Sequence, residues 1–342
     1  MERAKSEQPS FQVGIVLAAY NCDRTYFKQQ LESIKLQTFS NWICLITDDG
    51  SAPDIQDFIR TEIADDARFI YYVQPQNLGA YHNFESGIEY FSDRPEITHL
   101  AFSDQDDIWH PEKLETLLRE IESQDALLAH SDLELIDSQG QLLHSSVWDY
   151  EKRCPENLNS KLLLLRNSVT GCTVMIRRIL IPDLLPFPKQ HSSTAWYHDH
   201  WMALVASHRG NIAHLRQPLV QYRQHGDNVV GAREFAGTIR VELEEWLAKR
   251  GRLTLKSYSI HEALSRAFYQ RFYPPQIASK LNPIPENRID FGWPILQLGV
   301  YSVFKGYGAR GCALRLWVNK FVLDWLKVKD WFFERVLIFS SK

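Results

Sequence analysis

The sequence predicts an α/β fold in which helices cover both faces of a parallel sheet. Over residues 11–103, short apolar runs typical of buried strands alternate with segments whose apolar residues recur at helical spacing. Gly, Pro, Asn and Asp separate these segments, as expected of turns. Strands that alternate with helices in this way pair in parallel, and helices cover the sheet that they form.

Each element follows from its own local pattern. Apolar runs predict four strands at 12–20, 41–47, 68–74 and 97–103. Helical spacing predicts helices at 26–37, 54–63, 79–91, 112–123 and 160–167. Two apolar runs fill 126–136, and a further strand is predicted around 171–177. The polar stretches 1–10 and 138–160 are predicted to be a flexible tail and a flexible loop.

Acidic residues lie where two of these strands end. Asp48 and Asp49 follow the second strand, and Asp104, Asp106 and Asp107 follow the fourth. The carboxyl ends of parallel strands meet at one edge of the sheet, and ligands of such folds bind there. We therefore expect the two acidic groups to converge at that edge.

The stretch FSDQDDIW packs three carboxylates into four positions. Helix capping accounts for Asp107, because a predicted helix with Pro111 in its first turn follows. Capping leaves Asp104 and Asp106 without a role, whereas a hard divalent cation binds several carboxylate oxygens. The cluster therefore favours metal or diphosphate chemistry.

Two turns have both a structural and a ligand-binding interpretation. In TDDGSAP, Asp49-Gly50 is a common turn signal, and a carboxylate there could also accept a hydrogen bond from the imide N–H of uracil or thymine. PQNLGAYHNF is a glycine turn that enters a helix, whose first backbone N–H groups could face a ligand.

Two further motifs place histidine beside candidate functional residues. In WYHDHWMALVA, Asp199 begins an apolar helix, where it either complements the helix dipole or acts as a general base. His198 and His200 point about 200° apart on a helix, so they cannot bind one metal together. In QYRQHGDNVVGA, His225 is either structural or a metal ligand.

The charge is unevenly distributed. Residues 231–342 hold 18 Lys+Arg and 10 Asp+Glu, so the remainder of this chain of net charge −4 is strongly acidic. Residues 291–342 combine 8 basic with 12 aromatic residues. That composition fits a helical bundle, an oligomer contact or the surface of an anionic membrane. Nucleic acid is a poor partner for the acidic front part.

The cysteines and the N-terminus bear on location. Five scattered cysteines without a CxxC pair argue against a disulfide framework or a zinc site. The N-terminus lacks the apolar core of a signal peptide. We therefore expect a cytoplasmic protein, with its C-terminal region peripherally bound to the inner face of the cytoplasmic membrane.

Over about 11–232 these motifs resemble family 2 glycosyltransferases with the GT-A (Rossmann-like) nucleotide-diphospho-sugar transferase fold, and within them bacterial rhamnosyltransferase-like members. The likeness is carried by six segments. They are the opening stretch through TDDGS, QNLGAYHNF, SDQDDIW (which matches the DxD element), HDHW, TGC and YRQHGDNVVGA. Ala18-Ala19 departs from the Pro-Thr or hydroxyl residue that often ends the first strand, which leaves only backbone to contact the base. Residues 233–342 form a mainly helical extension in this prediction.

The resemblance implies a role for each matching residue. Asp199 is the catalytic base, and a divalent ion, Mn²⁺ or Mg²⁺, is bound by Asp104, Asp106 and His225. The residues implied to bind the nucleotide sugar are Ala18, Tyr20, Asn21, Asp48, Asp49, Asn77, Gly79 and Asp104.

The implied reaction is an inverting, metal-dependent transfer of a sugar from a nucleoside diphosphate to a hydroxyl of a cell-surface polysaccharide or a lipid-linked glycan. By family likeness, dTDP-rhamnose is the first expected donor, while the sequence does not fix the acceptor or the linkage. One alternative is a nucleotidyltransferase, but AAYNCDRTY lacks the glycine-rich basic loop which that reaction needs. Another is a catalytically inactive scaffold or membrane-docking subunit of a polysaccharide assembly complex, which the full set of acids disfavours.

Overall fold

The computed structural model of the protein describes residues 12–156, 158–190, 196–226, 252–284 and 295. The strands among them are β1 Val13–Ala19, β2 Trp42–Asp48, β3 Phe69–Val73, β4 His99–Ser103, β5 Ile108–Trp109, β6 Ala126–Ile136, β7 Leu142–His144, β8 Val174–Arg177 and β9 Asn211–Arg223. The helices are α1 Arg24–Lys35, α2 Pro53–Ile63, α3 Ala80–Ser92, α4 Lys113–Ser123, α5 Val147–Tyr150, α6 Ser160–Leu163, α7 Ile181–Leu184, α8 His198–Arg209, α9 Arg252–Phe272 and α10 Pro275–Leu281.

The strands form one sheet in the order β3-β2-β1-β4-β8-β6-β9-β5, and β7 pairs with β6 beside this path. The first four strands are parallel, with β1 between β2 and β4. Leu17 of β1 lies opposite Ile46 on one side and Ser103 on the other, so β1, β2 and β4 end close together. The predicted alternation of strands and helices is confirmed over this half.

Beyond β4, outside the range 11–103 for which a parallel sheet was predicted, the sheet is mixed. Strand β8 runs antiparallel to both β4 and β6, and β9 is parallel to β6 but antiparallel to β5. A 3-10 turn at Gly171–Thr173 feeds the chain into β8, which lies beside β4 in the opposite direction. The two apolar runs at 126–136 are a single strand of 11 residues.

The predicted flexible loop at 138–160 is wrong, because β7 and α5 lie within it. Ser146 caps α5 by accepting a hydrogen bond from the backbone N–H of Asp149 at 3.0 Å. Val147 and Trp148 then bury their side chains. A polar composition concealed these short elements, whose stability comes from a cap and two buried side chains rather than from a periodic pattern.

Helices cover both faces of the sheet, as predicted. One face packs against α3, α8 and α9, and the other against α1, α2 and α4. Helix α3 approaches β1 very closely, since a Cβ added at Gly87 would lie 2.2 Å from the Cγ1 of Val16. This close contact packs the middle of α3 against the middle of β1.

The described part of residues 233–342 consists mainly of α9 and α10. Leu264 and Phe268 of α9 join the same apolar core as α8. None of the helices that the structure describes is both long and apolar enough to cross a bilayer. The tail 1–10 and, except for residue 295, the basic aromatic region 291–342 lie outside the described residues.

Candidate active site

A cavity of about 810 Å³ opens at the carboxyl ends of the parallel strands. Its walls come from the strand ends, the loops that follow them and the start of α8. The predicted site residues that line it are Ala18, Tyr20, Asn21, Asp49, Asn77, Gly79, Asp104, Asp106, Asp199 and His225. Residues up to about 200 positions apart are therefore brought together as the parallel topology requires.

Asp48 is the exception, because it does not line the cavity. Its carboxylate is fully buried and accepts hydrogen bonds from the backbone N–H of Ser51 at 2.8 Å and from the Tyr71 hydroxyl. The predicted contact of Asp48 with the nucleotide sugar therefore needs correction. Asp48 instead shapes the turn that carries Asp49.

Asp49 is held by the loop before α3. Its two carboxylate oxygens accept hydrogen bonds from the backbone N–H groups of Leu78 at 2.6 Å and Gly79 at 2.8 Å. The Asn77 side chain donates to the Asp49 carbonyl at 3.1 Å. Burial raises the pKa of Asp49, and these two N–H bonds oppose the rise. The N–H groups of Leu78 and Gly79 are thus hydrogen-bonded to Asp49. Each oxygen of the Asp49 carboxylate still has a lone pair with which it can accept a hydrogen bond from a ligand.

The loop after β1 is tied to both neighbouring loops. The backbone N–H of Tyr20 donates to the Gln105 side chain at 2.8 Å, and that side chain donates back to the Tyr20 carbonyl at 3.3 Å. Asn21 accepts from the backbone N–H of Ala52 at 2.8 Å. The three loops therefore hold one another in place at the mouth of the cavity.

The acidic loop places two carboxylates on the cavity wall. The Asp106 Oδ2 lies 2.8 Å from the Nε2 of His225, which follows β9. Burial, together with the negative charges of Asp106 and Asp199, raises the pKa of Asp104 to about 7. Such crowding of acids is relieved when a cation binds between them.

Asp107 does not cap α4, so that prediction was wrong. Residues of β5 intervene, and the N-cap position of α4 belongs to Glu112. Asp107 is fully buried and accepts a hydrogen bond from the backbone N–H of Arg223 at 3.2 Å. Behind it lies the buried Lys113, whose Nζ donates to the Cys172 carbonyl at 2.6 Å. Burial lowers the pKa of Lys113 to about 7, against the opposing effect of the nearby acids.

Two sets of candidate metal ligands overlap at Asp104. Within the described part of the chain, the group whose ligand atoms all lie within 4.8 Å of one another is Asp104, Asp107 and Cys172. Burial raises the thiol pKa of Cys172 well above its usual value, so the thiol keeps its proton and is a poor ligand. Asp104 and Asp106 line the cavity and offer the oxygen atoms that Mg²⁺ and Mn²⁺ prefer.

Asp199 is the second residue of α8 and is held on three sides. Its carboxylate accepts hydrogen bonds from the backbone N–H of His200 at 2.6 Å, from Gly171 N–H at 3.0 Å and from the Asn167 side chain at 3.1 Å. Burial nevertheless raises its pKa to about 6. The two flanking histidines point apart, as predicted: His198 stacks on Phe84, and His200 bonds to the Leu163 carbonyl.

Sequence patterns missed two arginines that organise the site. Arg223 is buried, donates through Nε to the Asp106 carbonyl at 2.9 Å and stacks over Tyr26 at 4.4 Å. Arg153 lines the cavity, where it bonds to Thr170 beside the Gly171 that holds Asp199. Arg223 belongs to the motif QYRQHGDNVVGA, but Asp106 and Tyr26 lie over a hundred positions away from it in the sequence. Patterns of local spacing cannot predict contacts at that separation.

Part of the chain matches a known protein family. Residues 14–182 match the family described as Glycosyl transferase family 2. The chain is 28% identical over 142 residues to an uncharacterized glycosyltransferase of Rickettsia felis, covering 42% of this chain and 22% of that protein. It is 26% identical over 189 residues to the Escherichia coli UDP-Glc:alpha-D-GlcNAc-diphosphoundecaprenol beta-1,3-glucosyltransferase WfgD, covering 54% and 68%. The chain spans about a fifth of the length of the Rickettsia felis and Rickettsia bellii relatives that it matches.

A solved structure supports the fold. TarS 1-349 of S. aureus in complex with UDP-GlcNAc superposes with a TM-score of 0.51 at 14% identity, covering 94% of this chain and 92% of that one. At this identity the likeness concerns the fold alone. The α/β fold of GT-A type expected from the sequence is confirmed.

Proposed function

We propose, from the glycosyl transferase family 2 domain that residues 14–182 form, that this chain moves a sugar from a nucleoside diphosphate to a glycan hydroxyl with inversion. One observation carries the proposal. One cavity holds a turn acid suited to a pyrimidine base, a pair of acids suited to a metal and diphosphate, and a separate half-buried carboxylate suited to a general base. In order these are Asp49, the pair Asp104 and Asp106, and Asp199.

Two ligand types on the cavity wall suit a divalent ion. Asp106 and His225 present an oxygen and a nitrogen 2.8 Å apart, and Asp104 lines the same cavity, although the ligand atoms of all three do not lie within 4.8 Å of one another. An ion held there supplies positive charge to the departing diphosphate. The raised pKa of Asp104 supports this role, because a cation would offset the burial and like-charge repulsion that now favour its proton.

Asp199 is the candidate base for the acceptor hydroxyl. Its three N–H partners fix its position, and a pKa of about 6 leaves it ionised at neutral pH. A base whose pKa lies near the working pH combines the correct charge with a useful driving force for proton transfer. Asp199 comes from α8 and the metal-side acids from the loop after β4, and in the proposed inverting reaction the hydroxyl that Asp199 activates attacks the face opposite the leaving group.

Asp49 fits the base of the donor nucleotide. Uracil and thymine both present an imide N–H, so Asp49 would accept it from either. The name of the E. coli relative specifies UDP-glucose and a lipid diphosphate acceptor. The sequence resemblance favours dTDP-rhamnose. We propose a uridine or thymidine diphosphate sugar, dTDP-rhamnose being the first donor to test, and a lipid-linked glycan as acceptor.

A donor panel tests this function. The purified chain is incubated with UDP-glucose, UDP-N-acetylglucosamine or dTDP-rhamnose, with Mn²⁺, Mg²⁺ or a chelator, and nucleoside diphosphate release is followed with and without a diphosphoundecaprenol-linked sugar. We expect release from one donor that needs the ion and increases with acceptor. Binding of nucleotides without any sugar transfer would favour the inactive scaffold, and diphosphate release from nucleoside triphosphates would favour the nucleotidyltransferase.

We also propose that the basic aromatic residues 291–342 bring the chain to an anionic membrane surface, where lipid-linked acceptors lie. Co-sedimentation of the full chain with vesicles of phosphatidylglycerol or of phosphatidylcholine tests this. We expect binding to the anionic vesicles that weakens with salt. Equal absence from both pellets, together with a concentration-dependent mass in solution, would support the rival role in homo-oligomer formation.

A further inference from the structure

His198 is a buried imidazole that faces the cavity without a hydrogen bond. Only 7% of the residue is exposed, and it lines the cavity beside Asp199. Its Nε2 is buried against Gly171, so Nδ1 is the nitrogen left for a ligand, and the structure records no hydrogen bond to this ring from any described residue. A buried polar group without a partner costs free energy, so such groups are rare outside sites that bind a ligand.

The ring is nevertheless held in one orientation. It stacks on Phe84 with the centroids 3.7 Å apart and the planes inclined by 23°. Phe102 adds a second aromatic contact at 6.1 Å. Burial lowers the pKa of His198 to about 3, so the ring stays neutral. A neutral imidazole offers one donor and one acceptor, which suits the hydroxyl group of a sugar.

Gly171 provides the space that this ring occupies. A Cβ at position 171 would lie 2.4 Å from the His198 Nε2 and 2.8 Å from its Cε1, closer than atoms approach. The same glycine donates its N–H to Asp199 at 3.0 Å. One turn therefore holds the candidate base and leaves room for the histidine next to it.

The position of His198 identifies what it can contact. It directly precedes Asp199 at the start of α8 and lines the same cavity as Asp199 and the metal-side acids Asp104 and Asp106. If the proposed function is right, the reacting carbon of the donor must lie between those groups, and its sugar ring lies with it. We propose that the His198 imidazole hydrogen-bonds a hydroxyl of the transferred sugar and thereby contributes to the choice of sugar.

Calorimetry with matched ligands tests this inference. The ligands are UDP with UDP-glucose and UDP-N-acetylglucosamine, and dTDP with dTDP-rhamnose, all with Mn²⁺. The variants are His198→Phe, which keeps an aromatic ring but loses both nitrogens, and His208→Phe as control. His208 lies on the same helix and packs on Phe272 at 4.4 Å, away from the cavity.

We expect His198→Phe to weaken binding of the preferred nucleotide sugar by about tenfold while binding of its nucleoside diphosphate stays within about twofold. The melting temperature should hold or rise, because the substitution removes an unpaired polar group. A donor analogue lacking the contacted hydroxyl should bind wild type and His198→Phe equally. If the phenylalanine variant does not fold, His198→Asn replaces it and should lose part of the same preference.

Several outcomes overturn the inference. Equal losses for the nucleoside diphosphate and the nucleotide sugar, an unchanged sugar preference, or the same loss in His208→Phe would each exclude a sugar contact. Failure of the wild-type chain to bind any nucleoside diphosphate with Mn²⁺ would instead overturn the proposed function, so the two failures are distinct.

Discussion

The cavity has one side that we assign to the nucleotide and one that we assign to the acceptor, and each holds one carboxylate through N–H groups. Asp49 receives two backbone N–H bonds from the loop before α3. Asp199 receives three, from its own helix, from the Gly171 turn and from Asn167. Burial raises both pKa values, and that of Asp199 reaches about 6.

The two carboxylates differ in which part of the sheet positions them. Asp49 and its partners belong to the parallel half, where β2 and β3 run side by side into the same edge. Asp199 depends on three segments of the mixed half that meet only in the folded chain. A fixed acid on the parallel side suits recognition of a constant group, whereas a half-buried acid of raised pKa suits proton transfer.

The largest expected effect is on the acceptor side. Asp199→Asn should lower transfer by about 10²–10⁴-fold, since general-base help is worth that much, while the dissociation constant of the nucleotide sugar changes little. Single-turnover rates and calorimetry separate the two quantities. A melting curve serves as control, because the new amide meets three N–H donors and costs about 1–3 kcal/mol. Lost donor binding with normal turnover would reverse the roles of the two sides.

The next effect concerns the acids between the two sides. Asp106→Ala should reduce transfer by about 10²-fold or more, because an ion at a developing charge stabilises the transition state by several kcal/mol. The affinity for nucleotide in the presence of Mn²⁺ should fall, while the affinity in chelator stays the same. Asp54→Ala on the exposed surface of α2 is the control. Unchanged Mn²⁺-dependent binding would argue against Asp106 as a ligand.

On the nucleotide side, Asp49→Asn should weaken UDP or dTDP binding by about 10- to 100-fold, because a hydrogen bond to a charged acceptor contributes about 1.5–3 kcal/mol. At saturating donor the turnover should stay close to that of the wild type. Asp48→Asn is the matched comparison: it should lower the melting temperature through the Ser51 and Tyr71 contacts. A larger loss of nucleotide affinity in Asp48→Asn than in Asp49→Asn would contradict this division.

The smallest effect is a pH dependence confined to the acceptor side. At saturating Mg²⁺, kcat/KM should fall about tenfold per pH unit below about 6, because Asp199 then carries a proton and cannot accept another. Residual activity of Asp199→Asn should lack this acidic limb. An identical limb in wild type and variant would assign the titration to another group.

Sequence patterns predicted which residues of the proposed nucleotide side lie together, because the information for that side is local. Strand ends, turn glycines and acids such as Asp49 lie within a few residues of one another in the sequence. The apolar period of each element and the position of these residues after it were therefore sufficient to predict where they lie. Asp48 was misplaced because adjacent residues on a strand end face opposite ways, and the sequence does not say which one is buried.

The acceptor side was only partly predictable. Asp199 was identified through a motif, but its partners Asn167 and Gly171 and the neighbouring Arg153 come from an irregular segment without period. Asp107 was assigned to a cap because its distance from the helix looked suitable, whereas β5 intervenes. Antiparallel pairing beyond β4 depends on tertiary contacts that no short window contains.

The Arg223 contact with Asp106 also sets an order of events during synthesis. Its guanidinium reaches a carbonyl 117 positions earlier in the chain. At translation rates of about 5–20 residues per second, the acidic loop leaves the ribosome about 6–23 s before its basic partner exists. During that interval the first four strands can pair, but the carboxylates have neither Arg223 nor His225 beside them. Emerging chains can therefore form the proposed nucleotide side before they can form the proposed ion site.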